Sequence, residues 1–599
     1  MYKLGDQVTK RTRIMHVKEG DMENLKKILE EISLDQMMDR IHYMTENFPY
    51  RLSGSETEEK AARYVTNVME SYGMEAEMLE FDAYNSTPME SKVEIISPEK
   101  FQIDSLPCGH IRSTGKDGRD FEIVYVADGS ISAYEEKDVR GKMVLVEVSY
   151  APPVPEKAYI AAQMGAAGIM CMNWGNDEEV ICHRALKSVW GNPTPQSLKE
   201  MPDLIGVGIT RHAGLRIKKL CQGGEKVIAK VTAIADRRWS KVRQPYGIIR
   251  GNGESDEFML VASHLDAWQP GVTCNATGNA TTLELCRVLT RHREQLKRDI
   301  HVVFWNGHEI AEAAGSTWFL DHYWDLLNKK CIAYMHIDST GVALTKKLEI
   351  KSSDELYSFA RNNVKQMKEG ELRIMTLKKI GDQSFMGIGI PSLCQRISFT
   401  EEDMEKAHGA TLGWWNHTKE DGIDKCDPQI LYQDTLIHAE FIYNFVNSDL
   451  LPYDFRRKFD QIEKNLYPLA EVYQEKVDFT DVLANLKEAK ELVLGIQNNS
   501  ASLAPSKRSD YNEFVKIVSH SLTNIFQTYG SKFDQDRYGH TNLTEPIPLL
   551  AEIKQLDKLE PSSLEYGLIE TLVVRNKNRI TDGLKTVIDF GKVYKKVLL

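Results

Sequence analysis

Four short segments, far apart in the 599-residue chain, carry side chains able to hold a metal ion: Ser263-His264-Leu265-Asp266, Asn306-Gly307-His308-Glu309, His336-Ile337-Asp338 and Trp415-Asn416-His417-Thr418. Zinc takes imidazole nitrogen, carboxylate oxygen and thiolate sulfur, and a hydrolytic site keeps one further position for water. The first two segments follow Phe258-Met259-Leu260-Val261-Ala262 and Ile300-His301-Val302-Val303-Phe304-Trp305, runs short and apolar enough for buried parallel strands. Gathered at the carboxyl edge of one sheet, the four segments can bind zinc.

The elements that must position them are legible from periodicity. Residues 21–72 have the apolar spacing of helices, with a turn at Phe48-Pro49-Tyr50-Arg51-Leu52-Ser53-Gly54-Ser55 and a capping sequence at Ser55-Glu56-Thr57-Glu58. Short β-rich runs follow, among them residues 121–126 and 142–148, then a small-residue helix at 161–168 leading into a buried strand at 167–172. From 246 to 446 strand and helix signals alternate, as in an α/β sheet with helices on both faces, whose ligands lie at the carboxyl edge. After Pro452 the chain turns amphipathic and rich in Lys, Glu and Leu, as at 482–494, which predicts a helical tail. The expected division is 1–84 for the first helices and the start of the catalytic domain, 85–242 for a β-rich insertion, 243–450 for the catalytic domain and 451–599 for the helical domain.

Composition narrows the function classes. A formal net charge of −12 without a basic patch argues against nucleic-acid binding. No stretch approaches the roughly 18 apolar residues of a membrane span. The opening Met1-Tyr2-Lys3-Leu4-Gly5-Asp6 lacks the apolar run of a secretory signal, and nine scattered cysteines suggest no disulfide framework, so a cytoplasmic protein with reduced thiols is expected.

The run from His264-Leu265-Asp266 through Pro270-Gly271-Val272-Thr273-Cys274-Asn275-Ala276-Thr277-Gly278 resembles the His-X-Asp and Pro-Gly-Ala-Asp-Asp-Asn-Ala-Ser-Gly stretch of the co-catalytic zinc aminopeptidases. Residues 48–55 resemble that family's amino-terminal signature. Residues 305–316 resemble its Trp-X-X-Glu-Glu-X-Gly-Leu-X-Gly-Ser segment, Gly381-Asp382-Gln383-Ser384-Phe385 its Asp-X-X-Pro-Phe stretch, and His417-Thr418-Lys419-Glu420-Asp421 its His-Thr-X-X-Asp motif. The insertion resembles a protease-associated domain, and the tail the dimerisation domain of the glutamate carboxypeptidase II and transferrin receptor branch. The resemblance implies an α/β fold: a mixed sheet flanked by helices, with a β-rich insertion and a helical dimerisation-like domain.

It also implies ligands: His264 and Asp338 for one zinc, Glu309 and His417 for a second, and Cys274 where the family has a bridging Asp. A thiolate alters the charge and favours softer metals, so a single zinc on Cys274, Glu309 and His417, as in the related glutaminyl cyclases, stands beside the two-zinc arrangement. The general-base Glu is replaced by His308, whose imidazole suits that work near neutral pH. Because the chain is one residue longer before Gly315-Ser316, an alignment from the right would make Glu309 the base; we align through Trp305 and keep Glu312 as a reserve ligand or base. Asp266 is expected to orient His264. His336 reads as a structural residue packed on its strand, and His301, His408, Trp414 and Trp415 as core or pocket wall. The expected function is zinc-dependent hydrolysis of an amide or other C–N bond in a small peptide-like substrate by a homodimer. Two alternatives stay open: a catalytically silent binding homologue, and an enzyme whose nucleophile is Cys274 activated by His308.

Overall fold

A computed structural model describes residues 19–175, 179–364 and 367–599; the first six residues, on which the targeting expectation rested, lie outside them. The chain opens with helices at Glu19–Glu30, Leu34–Asn47 and Glu56–Ser71. Ser33 and Ser55 cap the latter two, their hydroxyls accepting from the Gln36 and Glu58 amides.

Fourteen strands follow among the described residues: β1 (Glu75–Ser97), β2 (Phe101–Ile103), β3 (Ser105–Pro107), β4 (Arg119–Tyr125), β5 (Met143–Glu147), β6 (Gly168–Met172), β7 (Ile205–Ile209), β8 (Ile228–Ile249), β9 (Phe258–His264), β10 (Asp299–Trp305), β11 (Cys331–His336), β12 (Lys347–Ser352), β13 (Leu372–Thr376) and β14 (Ser392–Ser398). Twelve of them hydrogen-bond in the order β13-β12-β14-β11-β9-β10-β8-β4-β5-β6-β7-β3, and β1 pairs off this path with β8 and β2. The long strands β1 and β8 pair antiparallel along almost their whole length. One end of β8 pairs with β10 and the other with β4, so this ribbon joins two sheet regions and runs unbroken through residues 84 and 242.

The site sits at the end of a fully buried strand. All seven residues of β9 are buried, and it lies between β10 and β11, parallel to both. Register places Trp305 beside His264 and His336 beside Ala262, so the three strands end together at one edge. The apolar character of these strands follows from cover on both faces. One core links the first helices, this sheet and the tail, through residues such as Met37, Val261, Phe304, Leu486 and Phe514. A second core, with Val144, Ile169, Val207 and Val231, fills the β4–β7 region.

The helix expected at 161–168 lies earlier, at Val154–Gln163. Pro155 in its first turn favours that start, and Gly165 at φ +83° forms the turn that ends it before β6. The tail is helical as expected, with helices at Arg456–Tyr473, Thr480–Asn498, Arg508–Phe526 and Leu564–Leu598. It packs closely on the sheet region: a Cβ at Gly389 would come within 2.3 Å of the His520 Cα.

Candidate metal centre

Each donor is set by the loop that follows its strand. Arg51, fully buried, donates from Nε to the Leu265 carbonyl at 2.7 Å and from its terminal nitrogens to the Pro270 and Gly271 carbonyls at 3.2 and 2.9 Å. It thereby braces the loop between His264 and Cys274. Asp421 accepts from the Thr273 amide and hydroxyl at 2.9 and 2.7 Å and from the Cys274 amide at 3.1 Å. Asn275 donates to the His264 and Ile337 carbonyls and accepts from the Ser339 amide, tying the ends of β9 and β11 together. These contacts explain why the motifs around the donors carry Arg, Asp and Asn.

The five expected donors converge around the Cys274 sulfur. Sγ lies 3.7 Å from His264 Nε2, 3.4 Å from Glu309 Oε1 and 3.5 Å from His417 Nε2. Asp338 Oδ1 adjoins His264 Nε2 at 3.4 Å, and His417 Nε2 adjoins Glu309 Oε2 at 3.0 Å. His264, Cys274 and Glu309 are the set whose donor atoms all lie within 4.8 Å of one another. All three are buried, and nitrogen, sulfur and oxygen together form a donor set that suits zinc.

Ring partners decide which nitrogens can ligate. His264 Nδ1 meets the Asp266 backbone carbonyl at 2.9 Å, which fixes a proton there and leaves the Nε2 lone pair for a metal. The Asp266 carboxylate, expected to orient this ring, is instead 3.9 Å away and accepts the His308 and Glu309 amides at 3.2 and 3.0 Å. Carbonyl geometry at the strand end gives His264 a nearer acceptor. His417 differs: Arg184 Nη1 stands 2.8 Å from its Nδ1, and a guanidinium only donates. The ring proton then lies on Nε2, facing Glu309. For His417 to ligate through Nε2 the proton must shift to Nδ1, where the His183 carbonyl at 3.4 Å is an acceptor.

Electrostatics follow from burial and these pairs. Burial pushes the Cys274 thiol well above its ordinary value, and the carboxylates of Glu309, Asp338 and Asp421 push it further. Burial also opposes the Glu309 charge, but His417 outweighs it and the carboxyl sits at about 2. Asp338 is held well below the carboxylate range by His264 despite burial. Burial lifts Asp266 to about 6. His308 Nδ1 meets Asp382 Oδ2 at 2.8 Å; burial disfavours its cation, yet Asp382 raises its pKa well above the ordinary value. His308 is not among the hydrogen-bond partners of the Cys274 sulfur.

Residues 246–442, which carry all five donors, match the profile of peptidase family M28. The chain carries a peptidase family M28 domain. It is similar to a probable glutamate carboxypeptidase of Zea mays, 29% identical over 119 residues that make up 19% of this chain and 16% of that protein. It is also similar to transferrin receptor protein 2 of Homo sapiens, 24% identical over 266 residues, 39% of this chain and 32% of the receptor. The chain thus matches a third or less of the length of either relative. In fold it is similar to a zinc aminopeptidase from Bacillus subtilis, at 19% identity and TM-score 0.54 over 71% of this chain and 98% of that one. A peptidase M28 precursor from Shewanella amazonensis aligns at 18% identity and TM-score 0.59 over 72% of this chain and 98% of that one.

The M28 domain forms one side of a cavity of about 550 Å³ onto which Cys274, His308, Glu309, Asp338 and His417 open. The extra residue before Gly315 is taken up by Glu312 and Ala313, both left-handed at φ 49° and 62°. This turn leaves Glu309 beside Cys274 and carries Glu312 to the cavity wall, where the Tyr538 hydroxyl donates to it at 3.0 Å. Burial raises the Glu312 carboxyl to about 8. His301 is a core residue against Tyr246 and Phe258, and Trp415 is buried with its indole N–H on Thr273. His336, expected in the core, also borders the cavity. Sequence reasoning assigned no role to Arg184, Trp174, Trp268, Asp382 or Tyr538, all close to the site. For Asp382 and Trp268 a signal existed in their motifs; Arg184, Trp174 and Tyr538 come from segments with no metal-ligand chemistry.

Proposed function

We propose that the protein is a zinc-dependent hydrolase of an amide or other C–N bond in a small peptide-like substrate that carries an anionic group. The observation that carries this is the convergence of His264, Cys274 and Glu309 within 4.8 Å beside the cavity, with Asp338 and His417 adjoining. Zinc held there supplies Lewis acidity toward a carbonyl and toward water. Asp382 fixes the His308 proton on Nδ1, so that Nε2 accepts or returns a proton on the substrate side. Asp266, through the His308 and Glu309 amides, sets the spacing between that base and the ligands. The replaced base and the thiolate favour a specialised substrate over broad aminopeptidase activity. Cys274 serves this reading as a ligand, because its sulfur lies among the donor atoms of His264, Glu309 and His417.

Selectivity for an anion is supported by donors among the residues that line the cavity. Arg184 Nε and Nη2 and the indole nitrogens of Trp174 and Trp268 are buried without hydrogen-bond partners, and all three residues border the cavity. Arg184 also lies over the Trp174 ring at 4.8 Å. A wall of unpaired donors suits a carboxylate. Zinc content by plasma mass spectrometry is expected near one or two ions per chain, falling in Cys274→Ala and Glu309→Gln. With zinc-loaded protein and a set of small peptides, Arg184→Gln is expected to raise KM roughly 10- to 100-fold for acidic members, as loss of a charge-assisted pair does. Zinc-loaded protein inactive across the set would leave the silent binding reading.

The same reading divides the chain into a catalytic unit, a β-rich protease-associated insertion and a helical tail, and makes it a homodimer through that tail. Leu568, Phe590 and Val593 of the last helix are 61%, 43% and 58% exposed, an apolar surface that a second copy would cover. Light scattering is expected to give about twice 68.3 kDa, and the double change Phe590→Asp with Val593→Asp to shift the mass toward a single chain. A strict monomer in the unchanged protein would contradict it.

A further inference from the structure

A chain of hydrogen bonds behind the candidate metal centre ends on a histidine that borders the cavity. The Trp305 indole, which can only donate, gives its proton to the Tyr334 hydroxyl oxygen at 2.9 Å. The hydroxyl proton of Tyr334 then points to His336 Nδ1 at 3.1 Å. An imidazole that accepts at Nδ1 carries its proton on Nε2. His336 is 3% exposed, its Nε2 has no hydrogen-bond partner within the protein, and its ring borders the cavity. The same tautomer removes His336 from any ligand set, because Nε2 offers no lone pair.

Gly381, at φ +61°, is a neighbour of this N–H: a Cβ there would sit in van der Waals contact, 3.8 Å from His336 Nε2 and 4.0 Å from His308 Cε1. Glycine adds no side chain beside either ring. The His336 ring is 6.4 Å from that of His264 and 6.3 Å from that of His308, nearly parallel to each. A buried N–H without an acceptor is unfavourable, and a ligand in the cavity that this ring borders can supply the missing acceptor. We propose that His336 Nε2–H donates a hydrogen bond to the carbonyl oxygen of the group under attack and strengthens that bond as the oxygen becomes an oxyanion. This role rests on the hydrolase reading. It requires no proton transfer by His336: the Trp305–Tyr334 chain holds the ring as a fixed donor, oriented before the substrate arrives.

The test uses the full-length, zinc-loaded protein and its His336→Phe, His336→Gln and Tyr334→Phe variants. Three quantities are read: zinc content, kcat and KM on the best acidic dipeptide of the unchanged protein, and the dissociation constant of a phosphinate pseudodipeptide that mimics the tetrahedral state. His336→Phe is expected to keep its zinc, hold KM within about threefold, and lose roughly 100-fold in kcat, as removal of one preorganised donor does. Phosphinate affinity should fall with kcat. Glutamine, whose amide N–H stands near the place of Nε2–H, should recover part of both, and Tyr334→Phe, which frees the tautomer, should fall between. Unchanged kcat and phosphinate affinity in His336→Phe would overturn the proposal alone, as would a loss confined to KM or matched by lost zinc. Zinc-loaded unchanged protein that neither turns over nor binds the phosphinate would overturn it together with the hydrolase reading.

Discussion

Cys274 stands at the point where His264, Glu309 and His417 all approach within 3.7 Å. A thiol that burial and carboxylates hold protonated must release its proton to solvent as a metal binds, so zinc uptake at this site should strengthen as pH rises. His308 presents the complementary case, because the Asp382 charge outweighs burial and favours its cation. Asp382→Asn removes that charge and lowers the His308 pKa. The acid limb of the pH profile of the zinc-loaded enzyme should therefore move to lower pH, with kcat reduced roughly 100-fold through the lost tautomer restraint. An unmoved acid limb would separate His308 from proton transfer.

At the scale of elements, the helix Glu56–Ser71 is fixed to the sheet by one carboxyl. Glu58 accepts from the Arg243 amide at 2.9 Å, the Asn306 side-chain amide at 2.8 Å and the Gly54 amide at 3.3 Å, and so anchors the strand β8 and the loop that carries His308. Burial outweighs these bonds and raises the carboxyl from 4.5 to about 8. The folded state then holds a proton that the unfolded chain releases, so this contribution to stability is present below about 4.5 and declines as pH rises toward 8. Glu58→Gln keeps an acceptor oxygen without the titration. Its melting temperature should fall less between pH 5 and pH 8 than that of the unchanged protein; an identical decline would show that other groups set the slope.

Across the whole molecule, the tail is bound to the region of the sheet that carries the donors by charge as well as shape. Lys458 donates to both Glu355 oxygens at 3.1 and 2.9 Å and to Thr523 at 2.6 Å, and Ser519 donates to Glu355 at 2.6 Å, all buried. Lys458→Met strands the Glu355 carboxylate in the interior. Such a loss costs about 3–5 kcal/mol, which urea unfolding should show as one cooperative transition at lower midpoint. Two separated transitions would mean that tail and sheet unfold independently. Tyr538 extends the coupling to the site, since a residue of the tail region hydrogen-bonds the Glu312 carboxyl on the cavity wall.

Much of this was readable in order along the chain. Apolar runs fixed β9 and β10 to within a residue or two, and residue type picked out the segments of His264, Glu309, Asp338 and His417, because strand ends and ligand chemistry are local properties; Cys274 was legible only through the resemblance of its motif. The capping serine and the turn through Arg51 were local as well. What depended on approach between distant segments was not legible. Arg184 meets His417 across 233 residues, Asp382 meets His308 across 74, and Tyr538 meets Glu312 across 226. The same holds for the tautomers. Whether Asp266 bonds a ring through its carbonyl or two amides through its carboxylate, and whether His336 is core or donor, is decided by hydrogen-bond partners that only the folded chain brings within 3 Å or so. Sequence thus named the chemistry at the metal centre, and tertiary structure decided which nitrogen carries each proton and which walls the substrate meets.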